Sequence, residues 1–346
     1  MRRLVLITAF AVAALGFNAT SAMAATWTVT PGHSIQKAIN NAGPGDEIVV
    51  QPGTYHQNLT ITKDDLTLTG WGAILRPPKQ PKGPCPGYLG GVVPGICVVG
   101  VEQRVTGNTI RGFKIYGFSG QGIIMFRVGD TTISSVTAAW NGDYGIAGFH
   151  QKGGAYVNNV AHDNAAPGFY LGDSRQAEYR IVGNKAYNND SYGFFIRDSS
   201  YATVLDNQAR NNCAGFLLLD TDAKSPMGHL TLDGNQSWQN NQECAGEDPG
   251  DPSLSGLGIL IVGGDSNIVR HSEVWGNVPG GPSFVSGGIV LVSGTITGAS
   301  DPTNTAINFN HVWNNQDHDI FWDRSGSEIH FLQNTCGTSD PAFICS

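Results

Sequence analysis

Glycine followed by an apolar residue recurs through the middle of this chain at almost constant spacing. Gly122-Ile123, Gly145-Ile146, Gly168-Phe169, Gly193-Phe194 and Gly215-Phe216 are separated by 23, 23, 25 and 22 residues. The register returns at Gly258-Ile259 and Gly288-Ile289, and at Asp319-Ile320 with aspartate in place of glycine. Asn141, Asn164, Asn189 and Asn211 each stand four residues before an aligned glycine, and Asn315 holds the same place before Asp319. A second asparagine lies five residues from a partner in Asn159/Asn164, Asn184/Asn189, Asn207/Asn212, Asn235/Asn240 and Asn310/Asn315. Self-similarity at such a period is the signature of a solenoid.

The short runs between the asparagines, such as Lys185-Ala186-Tyr187, alternate with period two. They read as strands, and the asparagines and glycines as turns. One coil cannot bury its apolar face alone, but coils stacked about 4.8 Å apart share parallel ladders and a continuous core. Asparagine tolerates left-handed turn geometry, and its amide can bond the matching asparagine of the next coil. The expected fold is all-β, a right-handed parallel β-helix over residues 25–346. A leucine-rich repeat lacks its leucine spacing here, and no helical periodicity follows residue 45. One helix is expected earlier: Ser34 can cap a segment in which Ile35, Ala38, Ile39 and Ala42 share a face, closing the open end of the solenoid.

The first 24 residues read as an export signal, with Arg2 and Arg3, an apolar run from Leu4 to Phe17 and the small-residue pattern Ala22-Met23-Ala24. No later stretch approaches the roughly 20 apolar residues of a membrane span. The remaining chain is expected outside the cytoplasm, secreted or periplasmic. Six cysteines, none in a metal-binding spacing, then read as disulfides. Nearest neighbours pair as Cys85–Cys97, Cys213–Cys244 and Cys336–Cys345, one of 15 ways to join six cysteines. Net charge is −8 overall. Without the leader, 18 basic residues face 28 acidic ones. Nucleic acid and anionic membranes need a basic footprint, so neither is an expected partner. A polysaccharide or oligosaccharide remains as partner, acidic ones included, and the protein is expected to act as a monomer.

The opening segment carries a family resemblance. Ser34-Ile35-Gln36-Lys37-Ala38-Ile39, Pro44-Gly45-Asp46-Glu47-Ile48-Val49-Val50, Pro52-Gly53-Thr54-Tyr55 and Leu66-Thr67-Leu68-Thr69-Gly70 resemble the start of pectin-lyase-like superfamily proteins, including NosD-like repeat proteins and pectin methylesterases. The resemblance implies fold more than activity, because this superfold hosts lyases, hydrolases, esterases, epimerases and non-catalytic solenoids. Tyr192-Gly193-Phe194 is similar to part of the mannuronan epimerase motif, but Phe195-Ile196-Arg197 replaces the Asp-Pro-His that should follow. The residue sets of polygalacturonases, pectin methylesterases and the common pectate lyases are absent.

Insertions rich in Gly, Pro and Ser interrupt the period at residues 76–97, 221–229, 241–256, 278–286 and 297–305. They fall on either side of the aligned glycine and read as walls of a cleft. Five residues past that glycine stands a column of ionisable groups: Arg127, His150, Asp173, Asp198 and Asp220, then Gly263 and Ser293. Arg197 adjoins Asp198, Arg175 follows Asp173 by two, and Asp222 follows Asp220 by two. Stacked carboxylates repel, so one should have a raised pKa, as an acid/base pair requires. Asp173 and Asp198 are the expected pair, with Asp220, His150, Arg127 and Arg197 assisting. The same acids could bind calcium. They could equally be solvated turn residues contributing little to folding, in which case Asp265, on a coil without the stack, would behave alike. Trp140, Trp238, Trp275 and Trp313 precede turns, where they either stack on sugars or pack on the fold. Two functions follow: a secreted lyase, hydrolase or epimerase acting on polysaccharide, or a non-catalytic solenoid that binds glycan or a surface partner or serves as a NosD-like accessory protein.

Overall fold

A computed structural model describes residues 23–245 and 252–346. Apart from Met23 and Ala24, the expected leader lies outside these residues, as does the segment 246–251 of one insertion. Every coil contributes one strand to each of three parallel sheets. One coil, for example, runs through Lys152–Val157 in sheet A, Val160–His162 in sheet B and Phe169–Gly172 in sheet C. Among the described residues the sheets hold 13, 11 and 11 strands, and each strand pairs with its counterpart one coil away. The chain is the expected right-handed parallel β-helix. Its inward side chains, such as Ile146, Phe169, Phe194, Phe216, Ile259 and Ile289, stack in register through a single core. Phe169, Phe194 and Phe216 lie face to face at 4.9 and 4.7 Å between ring centres.

Two buried asparagine ladders hold the corners. At the turn from sheet B to sheet C, Asn141, Asn164, Asn189, Asn212, Asn240, Asn277 and Asn315 donate in succession from Nδ2 to the next Oδ1 at 2.8–3.1 Å. Asp319 ends the row by accepting from Asn315 at 3.0 Å. The ladder uses Asn212, not Asn211: the coil is one residue shorter there, and Asn211 takes the left-handed position with φ of 54°. At the turn from sheet A to sheet B a second ladder joins Asn159, Asn184, Asn207 and Asn235 at 2.9–3.0 Å. Each amide also donates to a carbonyl of the preceding coil, as Asn184 does to Tyr156 at 2.9 Å. Buried turn groups are thereby satisfied without water.

The expected cap is helix α1, Ile35–Asn41, whose Ile35, Ala38 and Ile39 are buried over the first coil. Ser34 accepts from the Lys37 N–H at 3.1 Å. Beyond it, only a single helical turn at Cys85–Tyr88, inside an insertion, and a 3₁₀ turn at Gly294–Thr297, leading into another, occur among the described residues. The three disulfides join the nearest-neighbour pairs, with Cα separations of 6.4, 5.7 and 5.2 Å. None of the described helices is long and apolar enough to cross a membrane.

Every expected insertion falls at one of the two corners that flank sheet C. Residues 76–97, 241–256 and 278–286 enter it from sheet B, whereas 221–229 and 297–305 leave it toward sheet A. Most of sheet C's outer face is covered. Tyr170, Phe195, Leu217, Leu260 and Val290 form a second apolar cluster there, joined by Cys244 and Leu254 from an insertion. Such double burial explains why these strands read as continuous apolar runs.

Candidate functional site

The ionisable column is real as a register. Arg127, His150, Asp173 and Asp198 occupy the first position past sheet C with φ between 47° and 54°. Each backbone N–H bonds the coil that follows, and Asp220 continues the pattern to Val262. The side chains diverge. Arg127 turns to the Val101 carbonyl at 2.9 Å. His150 is exposed, donates from Nδ1 to the Asp173 carbonyl at 3.0 Å and lies edge-on to Phe126. Asp173 is exposed, whereas Asp198 and Asp220 are buried.

Arg175 gathers the buried acids. Its guanidinium lies 3.2 Å from Asp198 Oδ1, 3.8 Å from Asp220 Oδ1 and 3.5 Å from Asp222 Oδ2. Arg197 approaches Asp198 from the other side, with Nε 3.4 Å from Oδ2. Thr221 completes the Asp198 shell, donating from its backbone N–H at 2.9 Å and its hydroxyl at 2.6 Å. Both oxygens of Asp198 are therefore committed within the protein. Burial opposes the Arg197 charge, but Tyr170, Asp198 and Asp173 outweigh it and hold its pKa above the usual value.

Of the stacked acids, Asp220 has the raised pKa. Burial is the main cause, and repulsion from Asp198 is the weakest. The Asp222 and Met227 N–H groups and Arg175 pull the other way. Asp220 Oδ2 has no partner in good hydrogen-bond geometry, and neither does Arg175 Nη1. Among the described residues no group of three or more His, Cys, Asp or Glu is arranged to hold a metal ion. Asp198, Asp220 and Asp222 instead surround a guanidinium.

In front of this cluster opens a cleft of about 590 Å³, between the insertions 221–229 and 297–305. Arg175 lines it, together with Tyr201, His229, Ser225, Asp265 and Asp301. The insertion walls are anchored to the corner: Thr297 donates to the Asp220 carbonyl at 2.6 Å, and the Ser293 hydroxyl donates to Asp301. A bridge column of Ser200, Gly228, Asp265 and Thr303 sets the floor, so Tyr201 and His229 follow it on adjacent coils. Their rings stack at 4.5 Å, and Tyr201 remains 49% exposed. Asp265 accepts from Thr303 at 2.5 Å and from Asn304 at 2.8 Å. Although burial acts to raise its pKa, these bonds, the Ser266 hydroxyl and the nearby His229 charge hold it below the usual range. Asp265 is thus part of the cleft and no bystander.

Sequence reasoning reached Arg175 only as a neighbour of the column and missed Tyr201 and His229. Aligning those two requires knowing that residues 221–229 bulge while the bridge column keeps its register. Three of the four tryptophans resolve toward packing, whereas Trp140 stays 54% exposed. Trp238, Trp275 and Trp313 stack on one another at 5.0 Å on sheet B, so their faces are largely occupied. Trp140 sits edge-on between Tyr116 and His162.

Residues 93–237 match the family model described as "Right handed beta helix region". No curated protein sequence matches the chain. Among solved structures, the mannuronan C-5 epimerase AlgE6 A-module of Azotobacter vinelandii superposes with a TM-score of 0.64 at 16% identity, over 88% of each chain. The AlgE4 A-module of the same organism gives 0.60 at 18%, over 88% of this chain and 94% of that one. The catalytic domain of a GH87 alpha-1,3-glucanase, in complex with nigerose, gives 0.54 at 13%, over 92% and 66%. The expected likeness to the pectin-lyase-like superfamily holds at the level of the fold.

Proposed function

We propose that this chain is an exported enzyme that acts on an acidic polysaccharide by removing the proton beside a uronate carboxylate. The observation that carries this reading is the cleft: a guanidinium, an imidazole and a phenol line one walled space on consecutive coils. Proton abstraction next to a carboxylate needs those three functions. Arg175 neutralises the uronate, lowering the cost of the negative charge that builds up on it. The neutral imidazole of His229 takes the C5 proton, and Asp265 balances the charge that the ring then carries. The electron pair left behind has two outcomes. It can be reprotonated from the opposite face, which is epimerisation. Alternatively it forms the C4–C5 double bond as the C4–O4 bond breaks, with Tyr201 supplying the proton to the departing oxygen, which is β-elimination.

In this reading Asp198, Asp220 and Asp222 are positioning residues that aim Arg175. The three cystine pairs support an oxidising compartment outside the cytoplasm. The two epimerase modules share this fold, which makes such chemistry feasible on it. The test is to incubate wild type and Arg175→Gln with a panel of polyuronates and neutral glucans. Wild type should convert a polyuronate alone, and the variant should lose roughly 10²-fold or more. Conversion of neutral glucans only, with Arg175→Gln unaffected, would overturn the reading.

A second reading, a non-catalytic glycan-binding solenoid, is favoured by one observation. Of the two acids that most resemble a catalytic pair from the sequence, Asp198 is locked inside ion pairs and Asp173 stands exposed outside them. A wild type that binds a polyuronate without changing it would support this alternative.

A further inference from the structure

A second cavity, of about 510 Å³, lies over the outer face of sheet C near its amino-terminal end. It differs in character from the Arg175 cleft. Leu89, Val99, Ile124, Phe126 and Phe149 supply most of its wall, backed by the Cys85–Cys97 disulfide. No Lys, Arg or His is among its lining residues. Its polar side chains are Gln121, Asp143 and Tyr144; Gln121 Nε2 donates to Asp143 Oδ2 at 2.5 Å, and Asp143 Oδ1 accepts from the Tyr144 N–H at 2.9 Å.

The lining selects its occupant. An ionised uronate would meet an acid and no cation, which disfavours it. A bare neutral sugar would bring several hydroxyls to a wall that offers three polar side chains, two of them already bonded to each other, and buried hydroxyls without partners are costly. A sugar whose hydroxyls are capped by acetyl groups suits the wall better. Its methyl groups bury against aliphatic and aromatic carbon, worth about 25 cal/mol per Å² removed from water. Its ester carbonyls need only a donor. Gln121 can be that donor, since its Nε2 carries a second N–H beyond the one given to Asp143. Position supports the same conclusion. Phe126 and Phe149 sit on successive coils, and Phe149 pairs with Gly172, one strand along the axis and three residues before Arg175. A polymer lying along the axis would therefore meet both cavities.

We propose that this apolar cavity is a subsite for an acetyl-substituted sugar residue, so that the polymer recognised is a partly acetylated polyuronate. The proposal rests on the polyuronate reading of the Arg175 cleft, but its test does not need turnover. Saturation-transfer NMR with partly O-acetylated alginate, and with the same sample deacetylated by mild alkali, reads the acetyl methyl signals directly. A 2-acetamido sugar oligomer forms a third arm that separates amide from ester. In wild type the acetyl methyls of the ester polymer should receive the strongest saturation, and affinity should fall about fivefold or more on deacetylation. Val101→Asp, at a 53% exposed position on the rim, and Phe126→Ala, at a 40% exposed one, should both abolish the preference without unfolding the chain. Arg175→Gln should keep the methyl saturation, which separates this subsite from the cleft. Equal binding of acetylated and deacetylated polymer, or no methyl saturation in any arm, would overturn the proposal. Stronger saturation of the acetamido oligomer than of the ester would also overturn it in its ester form.

Discussion

Asp198 stands between Arg175 and Arg197, 3.2 Å from one guanidinium and 3.4 Å from the other, at the corner where sheet C hands over to sheet A. This single carboxylate ties the outer face of sheet C to the floor of the cleft. Its environment is not that of a solvated turn residue, because Asp198 is only 5% exposed.

Removing that carboxylate should therefore cost both stability and substrate binding. Asp198→Ala leaves two partly buried guanidinium groups short of a counter-charge and should lose about 3 kcal/mol in urea melts. On a responsive polyuronate kcat should fall as well as KM rise, since the misaimed Arg175 both holds the uronate and stabilises the charge that builds up on it. An unchanged melt would show that the cluster is a solvated turn.

Asp220 predicts a dependence of stability on pH. Its folded pKa is raised, so the folded chain holds this proton to higher pH than the unfolded chain does. The site then costs stability above the raised pKa and nothing below the ordinary value near 3.8. Asp220→Asn lacks that dependence. Its melting temperature relative to wild type should shift in its favour as pH rises from below 3.8 toward neutrality. A difference that is flat with pH, or that moves the other way, would contradict the burial argument.

The ladders predict a steep contrast between two asparagines of one coil. Asn184 exchanges four buried hydrogen bonds with Asn159, Tyr156 and Asn207 through its side chain. Each orphaned buried group costs about 1–3 kcal/mol, so Asn184→Ala should lose at least 3 kcal/mol. Asn188→Ala, at a left-handed position whose side chain has one partner, should lose far less. Equal losses would remove the ladder as a source of stability.

The repeat was legible because each coil must satisfy the same local constraints. Asparagine at the turns, glycine where Asn189 Nδ2 would lie 2.9 Å from an added Cβ at Gly168, and inward Phe or Ile recur for physical reasons that a single coil displays. The cleft was not legible in the same way. Tyr201 and His229 are 28 residues apart, unlike the aligned glycines, because an insertion lies between them. Only the Ser200–Gly228 bridge reveals that they are neighbours. The column failed for the opposite reason. Spacing placed Arg127, His150, Asp173, Asp198 and Asp220 correctly in register but gave no hint of which would be buried. Arg175, two residues past the column, decides how the acids are used.

Proton abstraction at C5 is the central claim, and the fate of that proton tests it most directly. A polyuronate converted in D₂O by wild type should yield product that has lost C5 protium, whether as deuterium at C5 after epimerisation or as an unsaturated end after elimination. His229→Gln should slow the loss by roughly 10²-fold, the usual scale for a missing general base. New reducing ends from a polyuronate with C5 protium fully retained would instead be hydrolysis, and would contradict the account.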